Sequence, residues 1–98
     1  QDKIHCGNFI LNISKSTIEK ENNSLELTKN ELKILYFLVL NKEKIVSRNE
    51  IMDYLWDSES FVDDNTLTVN INRLRTKLEE IGLQGIIETK RGLGYILK

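Results

Sequence analysis

The chain has 98 residues, 40% of them hydrophobic and 30% charged, with a formal net charge of −1. That size fits one domain with one modest core, and no apolar run approaches the ~18 residues a membrane span needs. A single cysteine, Cys6, excludes an internal disulfide framework and a cysteine-built zinc site; no basic start followed by an apolar stretch marks a signal peptide, so a cytoplasmic location is expected.

The net charge taken alone argues against a chain that binds nucleic acid by bulk attraction. Its distribution does not. Residues 50–64 hold six acids and no base, whereas residues 65–98 hold six bases and three acids. A short acidic segment therefore masks a basic C-terminal third, and a partner feels the field of one face rather than the sum.

In chain order, residues 3–27 read as short strands. Ile4, Cys6, Phe9, Leu11 and Ile13 fall near alternate positions around a Gly7-Asn8 turn. Thr17-Ile18 and Leu25-Leu27 supply two more, separated by the polar turn Glu21-Asn22-Asn23-Ser24. Thr28 with Glu31 forms a capping box that opens a first helix. Leu32 and Ile34 to Leu40 make that helix apolar nearly all round, so it is expected to be the buried centre. Ser47 with Glu50 caps a second helix whose stripe is Ile51, Met52, Leu55 and Trp56. Asp57 to Ser60 break the pattern.

A third helix runs from about Asp63 or Asp64 to Ile81, its acidic start matched to the positive end of the helix dipole. Leu67, Ile71, Leu74, Leu78 and Ile81, spaced 4, 3, 4 and 3, form the core stripe. Gly82 is a stop signal. Ile86–Lys90 and Gly94–Leu97 read as strands joined by Arg91-Gly92-Leu93-Gly94, whose glycines permit the positive φ of a tight turn. A helix pair followed by a hairpin is the winged-helix arrangement.

The face of the third helix opposite Leu67 carries Asn65, Val69, Asn72, Arg73 and Thr76, with Asn70, Arg75 and Lys77 on its flanks. A solvated helix face mixes acids with bases; this one has no acid between Asn65 and Lys77. Asparagine contributes nothing to an exposed helix, yet it can pair with adenine in a bidentate way, as arginine can with guanine, and Val69 could meet a thymine methyl. Lys90 and Arg91 put charge at the hairpin tip, where an arginine is drawn to the negative potential of a minor groove. Tyr95 is open to two readings, core residue or phosphate donor, and Thr89 could also serve a phosphate. A catalytic role has little support: His5 is the only histidine, and neither a phosphate-binding glycine loop nor metal-ligand spacing is present. No metal or cofactor is expected.

Four stretches then carry a resemblance. They are Leu27-Thr28-x-x-Glu31-x-x-Ile34-Leu35, Ser47-Arg48-x-x-Ile51-x-x-x-Leu55-Trp56, Thr66-Leu67-Thr68-Val69-x-Ile71-x-Arg73-Leu74-Arg75-x-Lys77-Leu78 and Ile87-Glu88-Thr89-Lys90-Arg91-Gly92-Leu93-Gly94-Tyr95. Together they resemble the DNA-binding effector domain of OmpR/PhoB-type response regulators over essentially the whole chain. The resemblance implies an α+β winged helix-turn-helix with an N-terminal four-stranded antiparallel sheet, three helices and a C-terminal β-hairpin wing. It implies a sequence-specific transcription regulator of a two-component phosphorelay, with helix 64–81 in the major groove and wing 86–97 in the minor groove.

By position, the resemblance assigns DNA contact to Asn65, Val69, Asn70, Asn72, Arg73 and Arg75, to Trp56 and Thr89, to Arg91 in the minor groove and to Tyr95 at a phosphate. It assigns Asp57, Glu59, Asp63 and Asp64 to a loop that touches RNA polymerase. The implied partners are promoter DNA with direct repeats, a second copy bound head to tail, RNA polymerase and an N-terminal receiver domain, which this chain lacks. The asparagines at 65, 70 and 72 suggest a target richer in A·T pairs. The alternative is a winged helix that binds protein instead of DNA, although such a face is more often apolar at its centre.

Overall fold

The computed structural model describes residues 2–56 and 63–98. Four short strands come first, β1 (Lys3–His5), β2 (Ile10–Asn12), β3 (Thr17–Lys20) and β4 (Asn23–Glu26). They pair antiparallel in the order β1-β2-β3-β4. The register sets Ile4 opposite Leu11, Leu11 opposite Ile18 and Ile18 opposite Leu25. This single row of aliphatic side chains crosses the sheet on one face, and Leu11 and Ile18 at its centre are fully buried.

The β3–β4 turn is tighter than the sequence suggests. Asn23 and Ser24 belong to β4, so the β3–β4 turn shrinks to Glu21-Asn22. Glu21 takes a φ of 55° to close it. The pairing of Glu19 with Ser24 and Lys20 with Asn23 extends the ladder past the apolar residues that revealed it.

Helix α1 (Lys29–Leu40) starts on the expected capping box. The Glu31 amide donates to Thr28 Oγ1 at 3.2 Å, and the Thr28 amide donates to Glu31 Oε1 at 2.9 Å. The helix supplies buried core residues as expected, but from one side only. Ile34, Leu35 and Leu38 are buried, Leu32, Tyr36, Phe37 and Val39 are half-buried, and Leu40 is exposed. A small domain cannot surround a helix on all sides. The face away from the core is partly covered by its own aromatic contacts, with Phe37 stacked on Tyr54 at 4.6 Å between ring centroids.

Helix α2 (Arg48–Leu55) is capped by Ser47 and Glu50 in the same way. Trp56 falls just past its end and is exposed rather than part of the buried stripe. Helix α3 (Asp64–Glu80) begins at Asp63, whose carboxylate accepts the Thr66 amide at 2.8 Å. Leu67, Ile71, Leu74 and Leu78 are each no more than 1% exposed. They form the stripe that faces α1 and α2. The helix ends in a Schellman motif: Leu83 N–H reaches the Leu78 carbonyl, Gly82 N–H reaches that of Glu79, and Gly82 takes a φ of 86°.

Strands β5 (Ile87–Lys90) and β6 (Gly94–Leu97) form the hairpin. Val46, just ahead of α2, adds itself beside β6 by exchanging both backbone hydrogen bonds with Tyr95 at 2.9 Å. Gly94 makes that approach possible, because a Cβ there would lie 1.9 Å from the Val46 carbonyl oxygen. The turn end of β6 is thereby joined to the segment just ahead of α2.

An ion pair with one buried member ties α3 to α1. Glu31 is 1% exposed, and Lys77 Nζ sits 2.6 Å from its Oε1 and 2.8 Å from the Glu26 carbonyl. Lys77, read from the sequence as a flank of the outward face, is therefore turned inward toward α1 and β4.

Candidate nucleic-acid interface

The outward face of α3 is built as the spacing predicts, apart from Lys77 and one further residue. Asn65, Thr68, Val69, Asn72, Arg73 and Thr76 are exposed. Val69 is an isolated apolar group in this polar row, 44% exposed. Asn70 does not belong with them. It is 7% exposed and donates its amide to the Thr66 carbonyl at 2.9 Å. By helical rotation it lies only about 60° from Leu67, at the edge of the core stripe.

The arginines divide into two kinds. Arg73 on α3 and Arg91 in the hairpin turn have no hydrogen-bond or ion-pair partner among the described residues, and both are exposed. Arg48 and Arg75 are held. Arg75 donates from Nη2 to the Thr89 hydroxyl and from Nε to the Ile87 carbonyl, so it fastens α3 to β5. Thr89 itself is exposed and keeps its own hydroxyl proton to donate. Lys90 is also held: it pairs with Glu88 at 3.1 Å, and Lys98 reaches the same carboxylate at 2.9 Å. These two lysines hold the Glu88 carboxyl below its ordinary value. At the hairpin turn, Arg91, Gly92 and Leu93 are all exposed, and of these Arg91 alone carries a charge.

Tyr95 resolves its two readings in one direction for the ring and leaves the hydroxyl in play. The ring is core, 5% exposed. Its hydroxyl accepts from Arg48 Nη1 at 2.6 Å and still has a proton to donate. Trp56 is 56% exposed beside the end of α2. Asp57 and Glu59 lie outside the described residues. Asp63 is the cap of α3, and the Thr66 amide holds its carboxyl below the ordinary range. Asp64 accepts from Arg48 Nε at 3.1 Å. Both aspartates thus have structural tasks, whatever else they touch.

Arg48 is the residue that sequence reasoning missed. It reaches Tyr95, Asp64 and Thr68 and so joins α2, α3 and β6. A signal was present: a cation at the first position of a helix opposes the dipole, and its placement there calls for another partner. Among the described residues, no group of His, Cys, Asp and Glu could hold a metal ion, and no helix is long and apolar enough to cross a membrane.

The outward face of α3, with the hairpin fastened beside it, has the form of a reading head. Residues 21–97 match the family described as "Transcriptional regulatory protein, C terminal". The chain belongs to this family. It is a DNA-binding output domain of a transcription regulator, and the family is not one of enzymes. The response regulator protein GraR of Staphylococcus aureus (strain MRSA252) is 52% identical over 87 residues. That match covers 89% of this chain and 39% of GraR, so the chain spans about two-fifths of the length of the curated relatives it matches.

Among solved structures, the C-terminal domain of the nisin resistance regulator NsrR superposes with a TM-score of 0.83 at 37% identity, covering 93% of this chain and 92% of that one. The DNA-binding domain of the response regulator AdeR, solved in complex with an intercistronic region, gives 0.81 at 28% identity, covering 98% and 97%. These likenesses agree with the winged helix-turn-helix architecture of the family to which the chain belongs.

Proposed function

We propose that the chain is one domain that reads double-stranded promoter DNA by placing α3 in the major groove and the β5–β6 wing in the minor groove. The observation that carries this reading is the outward face of α3. It is free of acid from Asn65 to Thr76, it presents Asn72 and Arg73 in the open, and Arg75 fastens it to a wing whose turn bears Arg91. Asn65, Val69, Asn72 and Arg73 are the proposed base-reading set, in which asparagine suits adenine and Val69 a thymine methyl. Thr89, Trp56 and the Tyr95 hydroxyl are proposed phosphate contacts, and Arg91 the minor-groove arginine.

That the similar AdeR domain was solved in complex with an intercistronic region supports a DNA-binding role. The domain is proposed to act in the cytoplasm as the output half of a longer response regulator, preceded by a receiver. A second copy binds beside it, head to tail, on a direct repeat, and the acidic stretch that includes Asp57, Glu59, Asp63 and Asp64 meets RNA polymerase. A near-neutral domain gains little from nonspecific attraction, which favours a paired site.

The test is selection of preferred duplexes from a random pool, followed by anisotropy titration of the winner and a scrambled duplex at several salt concentrations. The expected result is an enriched repeated motif, bound at least ~10³-fold more tightly than the scrambled duplex, with affinity falling steeply as salt rises. No enrichment, together with no binding at any salt, would overturn the DNA reading and favour a protein-binding winged helix.

A further inference from the structure

We infer that Arg48 is a positioning residue for DNA recognition: its guanidinium fixes the wing against the recognition helix, so that major-groove and minor-groove contacts form together. This rests on the two-groove reading above.

The geometry is that of a bracket between three elements. Arg48 opens α2. Its Nε donates to Asp64 Oδ1 at 3.1 Å, its Nη2 donates to the Asp64 carbonyl at 2.8 Å and to Thr68 Oγ1 at 2.9 Å, and its Nη1 donates to the Tyr95 hydroxyl at 2.6 Å. Two of the three acceptor residues are in the first turns of α3, and the third is in β6. All three guanidinium nitrogens are engaged, and a planar fork of fixed geometry holds its acceptors at fixed angles to one another. A lysine offers one nitrogen and cannot span the same set.

The tyrosine makes the bracket two-sided. Arg48 Cζ lies 5.9 Å from the Tyr95 ring centroid and Arg75 Cζ lies 5.7 Å from it. Arg75 in turn holds Thr89 on β5. Both strands of the wing are therefore tied to α3 through guanidinium groups, one from within α3 and one from the start of α2. The backbone of the same tyrosine is paired with Val46, which joins the start of β6 to the segment just ahead of α2. Without Arg48, β6 keeps its backbone pairing with Val46, while the Tyr95 side chain loses its link to the first turns of α3, from which Asn65 and Val69 project.

A second consequence concerns charge. Arg48 is already neutralised by Asp64, and its side chain is 35% exposed. It is thus arranged to hold protein groups rather than to release a counterion from a phosphate. Arg73 and Arg91, unpartnered, are arranged for the opposite task.

The test uses the 98-residue chain with Arg48→Met and Arg48→Lys, each alone and combined with Arg91→Ala. The probes are a duplex selected by the parent from a random pool and a scrambled duplex of the same length, each titrated across salt. Thermal melts establish that each variant is folded at the assay temperature. The expected result is about a tenfold loss on the selected duplex for both Arg48 variants, lysine included, with a loss on the scrambled duplex and a drop in salt slope no larger than those of Arg91→Ala. Arg91→Ala should cost much less in an Arg48 background than in the parent, because a loosened wing delivers Arg91 poorly.

Equal losses on both duplexes with a shallower salt slope, restored by lysine, would make Arg48 a phosphate contact and overturn the proposal. So would Arg48 and Arg91 losses that simply add. If Arg48→Met does not fold, Arg48→Lys, which keeps the charge and most of the volume, decides the same comparison. A parent that enriches no duplex removes the DNA reading itself, and the positioning role falls with it. That result is distinct from one in which the parent binds and the variants match it.

Discussion

The N-terminal sheet with α1, and α3 with the wing, use their polar side chains in opposite ways. In the first region the polar groups close on one another. Asn12 donates to Glu19, Thr28 and Glu31 cap α1 reciprocally, and Glu31, almost fully buried, takes Lys77 from the far helix. In the second region the same kinds of residue are sorted. Arg48, Arg75, Lys77 and Lys90 are tied down, while Asn65, Asn72, Arg73 and Arg91 face outward. Basic count alone therefore says little about an interface. What matters is which cations the fold has left without a partner.

The largest effect expected from breaking this contrast is on stability. Lys77→Met removes the only ion-pair partner that the described residues give to the Glu31 carboxylate, leaving a charge buried, and should lower unfolding stability by about 3 kcal/mol. Chemical denaturation measures it. At temperatures where the variant remains folded, its DNA affinity should match the parent, because Lys77 points away from the reading face.

Next comes the wing. Arg91→Ala should weaken binding by about 1–2 kcal/mol on selected and scrambled duplexes alike, lower the magnitude of the salt slope by about one, and leave the melting temperature unchanged. A melting shift without a binding change would place Arg91 in the folding half of the contrast. The smallest effect concerns Asp63. Its carboxyl titrates below the ordinary range because the Thr66 amide bonds to its charged form. A depressed folded value means the cap's contribution is complete above the ordinary carboxylate pKa and is lost as pH falls through the lower folded value. Protection of the Thr66 amide, its exchange rate taken relative to the intrinsic rate at each pH, should therefore fall only in that acidic window, and Asp63→Asn should remove this pH dependence of protection while keeping the bond.

Much of this could be read in advance. The capping boxes at Thr28 and Ser47, the α3 stripe and the glycines of the wing are local patterns, and local patterns survive folding. What escaped were pairings between distant positions. Nothing local says that Lys77 will find Glu31, 46 residues away, or that Arg48 will find Tyr95, 47 away. Asn70 was misplaced for a different reason: the boundary of a helical stripe is a matter of degrees, and an asparagine that bonds its own helix's backbone can sit on the buried side of it. Asn23 and Ser24 extend a strand in which their backbone pairing, not their side chains, decides the structure.

The central claim is that the outward face of α3 reads base sequence. The most direct measurement is the ratio of affinities for the selected and the scrambled duplex, taken for the parent and for Arg73→Ala at one salt concentration. The account predicts that the variant keeps its fold and its hold on the scrambled duplex to within a few-fold, while the ratio collapses by about 1–3 kcal/mol. An unchanged ratio would mean that this face does not read the groove.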